Sequence, residues 1–326
     1  MNWEELDWKV LERLRKGFLG GQVSSGSYWT SHSDLAAYDL TYGERIGWKW
    51  DAVLVEVRAR GWEPAGGTMV DWGCGSGIAG RRVLRAFGAG AFESLVVWDR
   101  SPVACAFAAG TASAEFPSLP VTIATAGFSR SSQPVGLLVV SHVLNELDPD
   151  SLAELLSLAR RSAAILWVEP GTRETSRRLG ALRDGLSDSF GIVAPCTHGL
   201  RCPVLAPGNE RHWCHHFAAP PPSIFIDSNW MKFGKRAGID LRSLPYCFVA
   251  LDRAWATKSS EGLSRVIGRP EHLKGFARVL NCDADGLSEL TLQKRDDPAL
   301  FKELDRTKRP LVYRWRRNGS RIVGTG

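Results

Sequence analysis

Val70-Asp71-Trp72-Gly73-Cys74-Gly75-Ser76-Gly77 sets three glycines at alternate positions between an apolar run and a helical one. Glycine allows backbone angles closed to other residues and lets a ligand approach the main chain. A loop that opens onto a helix N-terminus offers free N–H groups to the polar end of a nucleotide-like ligand. Asp99 ends the next apolar run, Ser94 to Trp98. A carboxylate there can accept hydrogen bonds from both hydroxyls of a ribose. The chemistry is that of holding a nucleoside cofactor. Glycines alone would serve equally as a structural turn; the run before, the helix after and the acid beyond point to a ligand.

The glycine pattern is G-x-G-x-G, whereas dinucleotide-binding loops read G-x-G-x-x-G. With Asp71 ahead of it, the stretch resembles the first motif of class I methyltransferases. That resemblance implies S-adenosylmethionine as cofactor, with Asp71, Gly73, Gly75 and Gly77 beside its methionine part and Asp99 at its ribose. Ser141-His142-Val143-Leu144-Asn145-Glu146-Leu147 follows a later apolar run. Strand carboxyl ends line the ligand crevice in such sheets, so His142, Asn145 and Glu146 are the catalytic candidates. The stretch is not the N-P-P-Y of many amino-directed nucleic-acid methyltransferases, and no Cys stands where a cytosine-C5 enzyme places its nucleophile. The catalytic residue is therefore unassigned, and His142 reads equally well as a cap or packing residue.

A second constellation lies downstream. Cys196, Cys202 and Cys214 fall in one Pro- and His-rich stretch with spacing C-x5-C-x11-C. Thiolates hold zinc or iron–sulfur clusters, and either would order a loop with little core of its own. The spacing is not the C-x2-C of a zinc ribbon, and three unrelated thiols would give the same pattern.

Four stretches together resemble the methyltransferase-like proteins of the mitochondrial small ribosomal subunit and their bacterial relatives. They are Val70 to Gly77, Ser141 to Leu147, the P-C-x-H-x3-C-P and W-C-H-x-F motifs, and the tail around Arg278-Val279-Leu280-Asn281-Cys282. The resemblance spans roughly residues 40 to 295. It implies a 4Fe–4S cluster on Cys196, Cys202, Cys214 and Cys282. Cys282 follows an apolar strand and precedes a turn, as the family's tail Cys does; Cys247, inside an apolar run, is the second choice. A zinc site using His198, His212, His215 or His216 is the chemical alternative. The resemblance also implies binding to small-subunit ribosomal RNA in assembly or translation. The chain departs from the family's usual tail and carries Tyr313-Arg314-Trp315-Arg316-Arg317 there.

These residues need an α/β frame. Thr68–Trp72, Ser94–Trp98, Val121–Ala124, Gly136–Ser141 and Ala163–Glu169 read as strands. Ile78–Phe87, Val103–Ala109 and Asp150–Arg161 read as the intervening helices. Such alternation implies right-handed crossovers and a parallel sheet. The expected architecture is a class I S-adenosylmethionine-dependent methyltransferase (Rossmann-like) domain at 61–258, with a cysteine-rich insertion at about 194–218. A helical region, 1–60, precedes it, with a break at Gly20-Gly21 and Ser24-Ser25-Gly26. A small extension, 259–326, follows, with one strand at Phe276–Leu280 and a basic tail.

Hydrophobic content of 44% and charged content of 23% suit a soluble globular chain. No run approaches the ~20 apolar residues of a membrane span. The N-terminus mixes charges with Trp and Leu and lacks the apolar centre of a secretory signal, so a reducing cytoplasm and a monomer are expected, with no membrane partner. Seven Cys are then unlike a disulfide framework. Net charge of +6 and a pI of about 9.0 permit RNA binding without requiring it. Lys302, Arg306, Lys308, Arg309, Arg314, Arg316, Arg317 and Arg321 could meet phosphates, and Tyr313 or Trp315 could stack on a base; Asp296, Asp297, Glu303 and Asp305 offset them. The reading is an S-adenosylmethionine-binding protein acting on or with small-subunit ribosomal RNA. The alternatives are a non-catalytic assembly factor and a methyltransferase for a small molecule or protein.

Overall fold

The computed structural model describes residues 1–19, 29–125, 127–128, 133–256, 262–306 and 310–326. Gly20, Gly21 and Ser24 to Gly26, expected as a helix break, lie outside the described residues, as do Lys308 and Arg309 of the tail and the side chains of Asp305 and Arg306. The chain forms two units, each discontinuous in sequence. The first comprises Met1–Val55, Glu63–Val168 and Ala219–Leu244; the second comprises Glu56–Trp62, Glu169–Ala218 and Pro245–Gly326.

In the first unit β1 (Thr68–Trp72), β2 (Ser94–Trp98), β3 (Val121–Ile123), β4 (Val135–Ser141) and β5 (Ser162–Pro170) lie in the order β3-β2-β1-β4-β5. All four pairings are parallel. Met69 and Val70, Leu137 to Val140 and Ala164 to Val168 are buried. Near-continuous apolar runs are what strands covered on both faces require. The crossover helices are α4 (Ile78–Phe87), α5 (Pro102–Glu115) and α6 (Pro149–Arg160). Ser101 and Asp148 cap the last two, each accepting from a backbone N–H of the first turn, and each is followed by Pro. Strand order reverses between β1 and β4, and that switch opens a crevice at the strand carboxyl ends. This is the α/β, Rossmann-like fold of class I methyltransferases, as the sequence predicts.

The N-terminal segment is helical: α1 (Trp8–Leu19), α2 (His32–Tyr38) and α3 (Glu44–Ala59). One π turn, Asp39–Gly43, links α2 to α3. Leu11 and Leu14 of α1 are buried, and Trp3 meets Trp230 of α8 (Ser228–Ala237) edge-on at 5.1 Å. Trp48 and Trp50 are core residues at 3% and 0% exposure, despite their polar neighbours in sequence.

The second unit holds α7 (Arg173–Leu186), β6 (Gly191–Ala194), β7 (His216–Ala218) and β8 (Leu244–Asp252), with β6 antiparallel to β8 and β7 paired with it. The C-terminal extension is more than the single strand expected of it. β9 (Leu263–His272), β10 (Phe276–Asp283), β11 (Gly286–Gln293), β12 (Val312–Asn318) and β13 (Arg321–Thr325) close a barrel in the order β10-β11-β13-β12-β9, and α9 (Pro298–Arg306) joins β11 to β12. Val266, Val279, Leu290, Leu292, Leu300 and Ile322 fill it. Two features hide these strands in the sequence. Their outward positions carry Arg, and Ser264, Arg265, Asn281 and Asp283 are buried where an apolar residue would mark the period.

Candidate functional site

The crevice at the switch point is a pocket. Trp72 and Trp98, paired in register, stack at 4.5 Å and stand beside the glycine loop. Gly73 and Cys74 both donate to the Trp98 carbonyl, at 2.7 and 3.0 Å. Gly75 N–H donates to Asp99 Oδ2 at 3.0 Å, and Ser101 N–H to Oδ1 at 2.8 Å. The loop is thereby latched to the end of β2 with the Asp99 carboxylate fixed at both oxygens. Burial pushes Asp99 above the usual carboxylate range. Trp29 and Tyr38 line the same pocket, which sequence reasoning missed. No short motif carries them; Trp29 sits just before a helix of which Asp34, Leu35 and Ala37 are buried.

The expected cofactor residues divide into two groups. Gly73, Gly75 and Asp99 line the pocket. Asp71 and Gly77 lie behind it and shape the loop. Asp71 is 1% exposed and accepts Gly80 N–H at 3.0 Å. Gly77 has φ +74°, and a Cβ there would stand 2.9 Å from that of Ala108. Arg81 braces the loop from the same side, donating to Ser76 O at 2.6 Å and to both Asp39 oxygens at 2.7 and 2.8 Å.

His142 and Glu146 also line the pocket; Asn145 is exposed and is not part of its wall. His142 holds φ +57°, a conformation uncommon for non-glycine residues. Burial and the nearby charges of Lys49 and Arg45 drive its pKa well below the ordinary value, so the ring is neutral. Lys49 Nζ lies 3.1 Å from Nε2 and can only donate. The proton is therefore on Nδ1, 3.3 Å from Ser141 Oγ, which also accepts from Trp50 Nε1 at 2.9 Å. Both ring nitrogens are engaged within the protein. Glu146 faces Arg100 at 3.8 Å.

In the second unit, the loop 195–215 carries three of the four chosen thiols and little regular structure. Its carbonyls need donors, because buried backbone groups are costly when unpaired. Arginines supply many of them, Arg173 at Glu210 O among them. Arg60 donates to Val193, Pro195 and Cys196 oxygens at 2.9–3.0 Å. Arg177 donates to Val204, Asn209 and His212 oxygens at 2.8–3.1 Å. Arg183 reaches the Leu200 and His198 oxygens.

Cys196, Cys202, Cys214 and Cys282 lie within electrostatic reach of one another. Burial, then the charge of Cys196, pushes Cys202 up to about 11. Burial raises Cys214, as do Cys196, Cys282 and Cys202. Burial raises Cys282, as do Cys196 and Cys202. Cys247 is set differently: it is buried on β8 and donates to Pro170 O at 3.3 Å. Among the described residues no three His, Cys, Asp or Glu side chains gather closely enough for a single metal ion. His198 is 2% exposed, yet neither of its ring nitrogens has a partner within the protein.

Residues 50–308 match the family described as mitochondrial small ribosomal subunit Rsm22. This chain belongs to the Rsm22 family. Membership links it to the small ribosomal subunit, and the matched segment takes in the glycine loop, the thiol loop and the first three barrel strands. No curated protein matches the chain. Solved structures similar to this Rsm22-family chain include the magnesium protoporphyrin IX methyltransferase of Synechocystis PCC 6803 with bound SAH. It is 15% identical, with a TM-score of 0.40, over 76% of this chain and 100% of that one. A putative RNA methyltransferase from Pyrococcus horikoshii is 10% identical, with a TM-score of 0.40, over 64% of this chain and 85% of that one. The fold assignment rests on strand order and the cofactor loop rather than on these values. No described helix of this family member is long and apolar enough to cross a membrane.

Asp71 yields a pH prediction for the family's loop. Burial lifts its pKa to about 7, partly countered by the Gly80 hydrogen bond. The unfolded chain ionises near the ordinary value, so between about pH 4 and 7 the folded state binds the extra proton. Stability from this group is intact below pH 4 and is lost as pH rises to 7, on the order of 4 kcal/mol at ~1.4 kcal/mol per unit. Asp71→Asn keeps an oxygen for Gly80 and removes the ionisation. Denaturant titrations of wild type and variant from pH 4 to 8 should diverge steadily, with the variant favoured at high pH. Parallel curves would rule the effect out.

Proposed function

We propose that this protein binds S-adenosylmethionine in the pocket at the β1–β4 switch and acts on or with small-subunit ribosomal RNA. The observation that carries the reading is the latch between Gly75 and Asp99. It presents close-approach backbone and a fixed carboxylate on one wall, the pair that a nucleoside with an amino-acid tail needs. The family's link to the small subunit supports ribosomal RNA as partner. The engaged ring of His142 favours one alternative within this reading, a non-catalytic assembly factor that keeps the cofactor pocket. Transfer of a labelled methyl group separates the cases. Label on small-subunit RNA supports the enzyme, and cofactor binding without transfer supports the factor. Label on a protein or small molecule instead would replace the RNA reading. In this reading the protein works as a monomer in a reducing cytoplasm, a compartment that keeps thiols reduced.

The same reading gives the thiol site a 4Fe–4S cluster on Cys196, Cys202, Cys214 and Cys282. Four Cys are the donor set such a cluster takes. A zinc ion held by Cys with one of the nearby His is the chemical alternative. Arg183 and Arg265 act on the thiols as positive charges, which suits an anionic cluster, and His198 has ring nitrogens free to face it. The cluster would supply rigidity to a loop that otherwise depends on arginine clamps. Anaerobically purified protein should carry iron and sulfide, lost in Cys282→Ser and retained in Cys247→Ser. Stoichiometric zinc without iron would refute the cluster, and the reverse pattern between the two variants would move the fourth ligand to Cys247.

A further inference from the structure

The barrel of the second unit has a topology with a known use. Its five strands run first-second-third-fifth-fourth around the closure, the third and fifth are parallel, and one helix joins the third to the fourth. That is the layout of the OB-fold, whose second and third strands, between the first–second and fourth–fifth loops, bind oligonucleotides and oligosaccharides. We propose that the outer face of β10 and β11, at the end formed by Phe276, Arg278, Thr291 and Gln293, is a binding site for single-stranded nucleic acid. The inference deepens the small-subunit reading and rests on it for which RNA is met in the cell; the face itself is argued from topology and charge.

Along β10 the buried residues Ala277, Val279 and Asn281 alternate with Phe276, Arg278 and Leu280, which face outward and are partly or fully exposed. Opposite them on β11 stand Gln293, Thr291 and Glu289. The flanking loops are in place. Lys294 N–H donates to Gly275 O at 2.9 Å, which brings the end of β11 against the β9–β10 loop with its Lys274. Thr291 N–H donates to Ser320 O at 2.9 Å, which sets the β12–β13 loop beside β11.

Charge selects the ligand class. Residues 263–326 hold fourteen Lys and Arg against eight Asp and Glu, so this segment carries the whole formal excess of +6. Glu289 is met by Arg211 at 3.2 Å. The Arg278–Glu271 pair, at 2.9 Å, is solvent-exposed on both sides and is cheaply broken. On the face itself Lys274, Arg278 and Lys294 gather at the Phe276 end and can meet phosphates, which a neutral sugar lacks. Phe276 offers a ring to an unpaired base, which a duplex would keep stacked within itself. Tyr313 and Trp315, expected in the sequence to do this, instead stack on each other at 4.3 Å and bond to Glu303 and Asn281 as part of the barrel wall. Deleting the tail would therefore remove two strands of the barrel, and point variants are the proper test.

Full-length protein is titrated into a labelled 12-nucleotide oligouridylate and into a duplex RNA of equal length, at two salt concentrations, with anisotropy as readout. The single strand should bind at least ~10-fold tighter than the duplex. Phe276→Ala should weaken it by about 10-fold (~1.4 kcal/mol). The double variant Lys274→Glu with Arg278→Glu, on exposed positions that do not threaten the fold, should weaken it further. It should also lower the salt slope by ~1.4, two phosphate contacts at ~0.7 each. Unchanged binding by the double variant, preference for the duplex, or binding of a neutral oligosaccharide in its place would overturn the proposal. The two readings fail separately. If the double variant binds the strand like wild type yet both bind the small subunit, the face is wrong and the ribosomal reading stands. If the variant loses the strand while wild type ignores the small subunit, the face stands and the ribosomal reading falls.

Discussion

Gly75→Arg is expected to abolish S-adenosylmethionine binding, at least 100-fold by calorimetry, in a protein that still folds. A Cβ built on Gly75 meets nothing within 4 Å, because the space in front of it is the pocket. The substitution therefore costs the fold only the left-handed backbone, φ +52°, about 1–2 kcal/mol. The cost to the ligand is larger. A long side chain leaves from the wall that the cofactor must touch, and its guanidinium stands beside Asp99, whose Oδ2 already accepts Gly75 N–H. An Arg–carboxylate pair would occupy the acceptor that a ribose needs. Gly73→Ala is the contrasting case: its Cβ would lie 2.5 Å from Val143 Cγ1, so it should lower the thermal midpoint as well. Normal calorimetry with Gly75→Arg would disprove the assigned wall, and a well-folded wild type that binds no cofactor would disprove the pocket's role.

What the sequence made legible follows from how each residue does its work. The central strands β1, β2, β4 and β5 are mostly apolar because both of their faces are covered, so they stand out as runs, whereas β3 at the edge is short and partly exposed. The loop after β1 is marked by glycines at φ +69° and +74°, where other residues are strained. The thiols are marked by chemistry. α7 was not legible: only Leu179, Leu186 and a few small or polar residues of its fourteen are buried, and one of the buried side chains is Arg183. An arginine that faces inward to bond loop carbonyls looks in sequence like a solvated one. The same holds for Arg60 and Arg177. The barrel was illegible for a related reason, with polar residues inside and arginines outside. The roles of Asp71 and His142 needed coordinates too, since spacing cannot tell a side chain that lines a pocket from one that shapes it.

Arg265→Ala is expected to destabilise the second unit by about 3 kcal/mol, the low end of the cost of breaking a buried pair, because Glu56 keeps Arg60 as a partner. Arg265 is 4% exposed and bonds to Glu56, itself 2% exposed and shared with Arg60 at 2.8 Å. Its other amino group lies 3.1 Å from His216 Nδ1. A guanidinium only donates, so Nδ1 accepts and the His216 proton sits on Nε2, 3.7 Å from Cys214 Sγ. Burial, and then Arg265, drive His216 well below its ordinary pKa, which keeps it neutral in that tautomer. The arginine thus fixes both a buried carboxylate and the donor aimed at a thiol. Lys cannot replace it, since one ammonium cannot reach two partners with the geometry of a planar fork. Paired replacement Arg265→Met with Glu56→Gln removes both charges and should recover part of the loss, since the Gln oxygen still accepts from Arg60 although the carboxylate charge is gone. Denaturant midpoints of the single and double variants give the coupling directly. A single variant within about 1 kcal/mol of wild type would show that water reaches Glu56 and that the pair is not buried in solution.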